Sequence, residues 1–129
     1  MRFMMFMHPG IEEKDWEPTA EVVAAMGRYN EELRRAGMLL SLDGLRPPTD
    51  GGTVRFSAAG EVTVTDGPFA EAKEVVGGYW LIQARSREEA LAWASRCPAR
   101  DCAIEVRRVA ETEDLPQEVQ DAVRANESV

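Results

Sequence analysis

The segment Phe3-Met4-Met5-Phe6-Met7 constrains the fold more than any other part of the chain. Read as a strand over residues 2–7, it points Phe3, Met5 and Met7 one way and Arg2, Met4 and Phe6 the other. Nearly the whole strand is therefore apolar on both faces. Such a strand belongs in the middle of a sheet with a layer packed on each side. His8-Pro9-Gly10 ends it, and the polar stretch 11–17 that follows holds one aromatic, Trp16.

A helix is expected from about Pro18 to Ala36. Val22, Met26, Tyr29 and Leu33 step by four, three and four residues and share one face, while Glu21, Arg28, Glu31, Glu32 and Arg35 take the solvated side. Asp15 and Thr19 are both placed to cap its start. Gly37 is placed to end it in the left-handed conformation. Met38-Leu39-Leu40-Ser41-Leu42 reads as a second strand running on through Asp43-Gly44-Leu45, and the prolines and glycines of 46–52 punctuate what comes next. Thr53–Ser57 and Glu61–Thr65 alternate as a hairpin joined through Ala58-Ala59-Gly60. Gly78–Ala84 is the next strand. Ser86-Arg87-Glu88-Glu89 has the form of a capping box opening a helix that turns Ala90, Leu91, Ala94 and Cys97 inward, with Pro98 beyond its end. Ala103–Val109 alternates as a last strand, Leu115–Ala125 has the pattern of a short helix, and Asn126–Val129 is expected to fray.

With the hairpin set aside, the order is βαββαβ, the split-βαβ ferredoxin-like arrangement, an α+β fold. Helices cover one face of its antiparallel sheet. The two-sided first strand then calls for a cover on the other face, and a second copy packing sheet to sheet is the simplest one. At 129 residues the chain has the length of one domain. Residues 1–112 form the expected α+β unit, and 113–129 the short helix and tail.

The net charge of −8 argues against non-specific nucleic-acid binding and against docking to an anionic membrane surface. The N-terminal apolar run is too short for a signal peptide and lacks a small-residue cleavage site, so the cytoplasm is the expected compartment. Cys97 and Cys102 are expected as free thiols, because a loop so short gains little from closure. With His8 the single histidine, no conventional metal site is expected. P-loop, Rossmann, His-Glu-x-x-His and Gly-x-Ser-x-Gly signatures are all missing from the sequence, and no cofactor is expected.

The middle of the chain carries a compact motif. Thr65-Asp66-Gly67-Pro68-Phe69 follows an alternating run, and Asp-Gly-Pro makes a hard turn that leaves the Asp66 carboxylate at a strand edge. With Ala70-Glu71-Ala72-Lys73-Glu74 and Gly77-Gly78-Tyr79-Trp80 after it, the stretch resembles the DGPF-domain branch of the YCII-related family. The resemblance implies a dimeric α+β barrel with a pocket in each subunit. It also implies that a His–Asp pair can carry acid–base chemistry, which here would be His8 with Asp66. It further implies genes lying beside those of alternative sigma factors, which suits a regulatory protein partner.

Two functional expectations stand side by side. One is a cofactor-independent lyase, isomerase or dehalogenase-like enzyme acting on a small aromatic or carbonyl-bearing acid. Asp66 and His8 would move protons, Arg46 would hold an anionic group, and Trp16, Tyr29, Phe69 and Trp80 would form the walls. The other is a small-ligand-binding or regulatory module without turnover, working as a homodimer. Each residue also has a plainer reading. In it Asp66 caps its own turn, His8 simply ends a strand, Arg46 is a surface arginine, and the aromatics are core.

Overall fold

A computed structural model describes residues 1–65 and 75–127. Its strands are β1 (Arg2–His8), β2 (Leu39–Gly44), β3 (Thr53–Phe56), β4 (Val62–Thr65), β5 (Gly78–Gln83) and β6 (Ala103–Arg108). Its helices are α1 (Ala20–Arg35), α2 (Arg87–Ala94) and α3 (Gln117–Glu127). The main sheet has the order β2-β5-β1-β6, with every neighbouring pair antiparallel. This is the ferredoxin-like order, with β3 and β4 forming a separate two-stranded sheet between β2 and β5. The main sheet does not close into a barrel within the chain.

The apolar strand β1 sits between β5 and β6, as its two-sided pattern requires. On one face Phe3 and Met5 join Trp80 and Ile82, and α1 and α2 cover them with Tyr29, Leu33 and Ala90. Met5, Leu33 and Ile82 are sealed completely. On the opposite face Met4, Phe6 and Leu81 remain only half-buried. Met4 pairs with Leu81 and Phe6 with Tyr79 across the β1–β5 ladder, so these side chains form a contiguous apolar strip.

Of the two residues placed to cap α1, Thr19 does so, its hydroxyl accepting from the Val22 amide at 3.2 Å. Gly37 ends the helix at φ +73°, with Gly37 N–H donating to Arg34 and Met38 N–H to Leu33. That pair of bonds is a Schellman motif, and an L side chain at Gly37 would meet the left-handed penalty. In α2 the Ser86 hydroxyl caps the Glu89 amide at 3.1 Å. Glu89 reaches past the Ser86 amide to that of Arg85 at 3.2 Å, because the Arg85 guanidinium also draws its carboxylate. These contacts hold the Glu89 carboxyl below its ordinary range, the Arg85 backbone bond being the main cause. Leu91, expected inward, is instead 36% exposed. Ala90 and Ala94 face the sheet, and Leu91 is turned toward a shallow gap beside Cys97 and Ile104. Of the expected frayed end, Asn126 and Glu127 belong to α3, while Ser128 and Val129 lie outside the described residues.

The β3–β4 hairpin presents its apolar side chains to solvent. Val54 pairs with Val64 and Phe56 with Val62, so all four lie on one face. Phe56 is 72% and Val64 69% exposed. Neither strand packs extensively against any other helix or strand among the described residues. A two-stranded hairpin alone is marginal in water, and this one exposes the face that would normally be buried.

Candidate ligand-binding cavity

The apolar stripe of α1 is longer than the core it serves. Tyr29 and Leu33 are buried, whereas Met26 is half-buried and Val22 is exposed. The N-terminal half of the stripe instead walls a cavity of about 670 Å³ between α1 and the β2–β5–β1 part of the sheet. Met7, Leu42 and Trp80 form the sheet side, Val22, Val23, Met26 and Gly27 the helix side. Trp16, Pro18, Ile11 and Leu45 complete the apolar lining. The Trp16 indole N–H donates to the Leu45 carbonyl at 2.9 Å and fixes the ring there.

The Gly77-Gly78 doublet lets the backbone pass close beneath this space. A Cβ on Gly78 would lie 3.0 Å from the Asp43 carbonyl oxygen, and one on Gly77 3.1 Å from the Pro9 ring. A larger side chain would press on the Pro9 ring at Gly77 and on the Asp43 backbone at Gly78, each of which would have to give by a few tenths of an ångström. Gly77 N–H donates to Met7 and its carbonyl accepts from Leu45 N–H, which ties β1 and the β2 exit to this corner.

The sequence-derived candidates divide among three places. Trp16, Arg46 and Trp80 line the cavity together. Tyr29 lies behind it in the core, edge-on to Trp80 with ring centroids 6.0 Å apart. Its hydroxyl donates to the Trp93 carbonyl at 2.7 Å, and burial raises its pKa well above the usual phenol value. His8 is half-buried on the open face of the sheet with Glu105. Its Nδ1 lies 2.9 Å from the Val75 carbonyl, and its Nε2 lies 3.1 Å from Glu105 Oε1. A carbonyl can only accept, so Nδ1 carries the hydrogen of that bond. Asp66 and Phe69 lie outside the described residues.

Arg46 stands at the cavity rim already paired. Its Nε donates to Asp50 at 2.8 Å, and Nη1 lies 3.4 Å from Glu17. The Asp50 hydrogen bond, ahead of the charge attraction, raises the guanidinium pKa further. Tyr79 and Asp43 also line the cavity; the Tyr79 hydroxyl donates to Asp43 at 2.7 Å, and that bond raises its pKa.

Asn30 is the polar cavity residue that sequence reasoning missed. It accepts the Trp80 indole N–H through Oδ1 at 2.8 Å. An asparagine one step from an apolar helix stripe carries no signal in the periodicity alone. Cys97 and Cys102 are free, and burial pushes the Cys97 thiol up to about 11. Among the described residues, no three His, Cys, Asp or Glu side chains gather as a metal site, and no helix is long and apolar enough to cross a membrane.

Fold and cavity together define an α+β protein with a ferredoxin-like sheet and a mostly apolar pocket under its first helix. The chain belongs to the YCII-related domain family, whose model matches residues 1–113. It is also 42% identical over 82 residues to an uncharacterized protein of Rhizobium meliloti (strain 1021). That match takes in 64% of this chain and 62% of the relative's length.

Proposed function

We propose that this chain binds a small organic ligand in the cavity between α1 and the sheet. The observation that carries the reading is the cavity itself: about 670 Å³, walled by Trp16, Trp80, Met7 and Met26, with few polar groups. That is the size and character of small-molecule sites in general. A thermal-shift screen of small aromatic and carbonyl compounds tests it. At a hundredfold excess over its Kd, a ligand stabilises by about 2.7 kcal/mol, which a melting curve resolves. A set spanning these chemistries that leaves the melting temperature unmoved at millimolar concentration contradicts the proposal.

On the same reading, the DGPF-branch resemblance makes Asp66 the candidate for acid–base chemistry, with His8 as its partner in a lyase-, isomerase- or dehalogenase-like reaction. The non-catalytic sensing module is the second reading, and His8 itself favours it. Both ring nitrogens are engaged, by the Val75 carbonyl and by Glu105, and the ring lies on the sheet face away from the α1 core.

A homodimer completes the proposal. The strip of Met4, Phe6 and Leu81 on the open sheet face supports a second copy packed sheet to sheet. Light scattering is then expected to give about twice the chain mass of 14.3 kDa. Phe6→Glu, which puts a charge in that strip, shifts the protein toward monomer; a monomeric wild type excludes the dimer.

A further inference from the structure

We infer that Asn30 is the polar anchor of the cavity, and that its ligand is a neutral, mostly apolar molecule bearing a carbonyl oxygen. The inference rests on the cavity being a ligand site and names what that site selects. The Trp80 indole nitrogen donates and cannot accept, so its partner on Asn30 must be Oδ1, which sets the orientation of the amide. The Asn30 NH2 group is thereby directed away from Trp80, and it has no hydrogen-bond partner among the described residues.

That nitrogen is not sealed in the core, since no buried side-chain N or O among the described residues lacks a partner. It therefore keeps contact with open space. Asn30 borders the main cavity and also a shallower depression beside Arg34. Trp80 is a wall of the main cavity and not of the depression, so its bond to Oδ1 holds the amide at the edge of the main cavity. An indole-braced amide in a mostly apolar lining, where Arg46 is paired with Asp50 and Glu17 and Tyr79 with Asp43, offers donors whose matching group on a ligand is an acceptor oxygen.

The charge of the ligand follows from Arg46. It is the one arginine or lysine lining the cavity among the described residues, and Asp50 and Glu17 already hold it. A carboxylate ligand would have to displace those acids or enter beside them, so the rim gives an anion little net attraction. A ketone, ester or amide oxygen fits the donors of Asn30 without that conflict.

Three near-isosteric probes separate the possibilities: 2-acetylnaphthalene, 2-ethylnaphthalene and 2-naphthoate, titrated into the full chain by calorimetry. The wild type is expected to bind the ketone in preference to the carboxylate. Asn30→Asp keeps an acceptor for the Trp80 indole but removes the donors. It is expected to weaken the ketone about five- to tenfold, the scale of one hydrogen bond, and the hydrocarbon less than about twofold. Asn30→Ala, checked for folding by its melting curve, is expected to show the same ketone-selective loss without an added charge. Equal losses for ketone and hydrocarbon, or naphthoate binding tightest, overturn the role of Asn30 while leaving the cavity a ligand site. Failure of all three probes to bind the wild type overturns both.

Discussion

Met5→Ala is expected to lower the unfolding free energy by about 3 kcal/mol, the middle of the range for emptying a large buried aliphatic position. Met5 is fully sealed at the centre of β1, opposite Trp80 on β5 and Val106 on β6. Truncation there leaves a void that three strands border and that the rigid ladder cannot collapse to fill. Met4→Ala supplies the contrast. Met4 lies on the open face and is only half-buried, so its truncation in a monomer costs about 1 kcal/mol or less. Urea denaturation of the two variants, each in the monomeric Phe6→Glu background, measures the difference directly. Equal losses would mean that β1 does not bury one face more deeply than the other.

Gly27→Leu is expected to change stability and binding in opposite directions. Gly27 lies within α1, where glycine costs about 1 kcal/mol relative to a good helix former. A Cβ there would meet nothing within 4 Å, so the substitution starts from open space. Yet Gly27 borders the cavity on its helix side, and leucine there would take up part of its space. The variant is therefore expected to gain about 0.5–1 kcal/mol in chemical denaturation. It is also expected to lose at least about tenfold in ligand affinity, equivalent to ~1.4 kcal/mol. Gly27→Ala should keep most of the stability gain and most of the affinity. A Gly27→Leu variant that is more stable and binds ligand unchanged would place the ligand elsewhere.

The skeleton of the fold was legible because its signals are local. The two-sided pattern of β1 required a central strand, Gly37 marked the end of α1, and the alternation of 53–65 required a hairpin. The cavity was not legible, and the reason is physical. Val22, Met26, Tyr29 and Leu33 form one unbroken stripe, and nothing in its period tells a core contact from a cavity wall. The difference arises only from how far the sheet extends beneath the helix. Arg46 poses the same problem in charge, because its partner Glu17 lies 29 residues away in sequence. The hairpin inverts the usual inference: its alternation was readable, but the apolar side faces outward. Asn30 left no trace, since its role depends on an indole 50 residues further along the chain. His8 meets the Val75 carbonyl 67 residues further along the chain, a contact its position at a strand end did not foretell.

The three tryptophans offer the most direct test of the ligand site. Trp16 and Trp80 line the cavity, whereas Trp93 lies outside it on α2, stacked under the Arg96 guanidinium at 4.1 Å. Each indole N–H gives its own nitrogen–proton NMR resonance. Titration with 2-acetylnaphthalene is expected to shift the Trp16 and Trp80 signals together, with a single dissociation constant, and to leave Trp93 in place. Movement of Trp93 alone, or of none of the three at saturating probe, would contradict binding between α1 and the sheet.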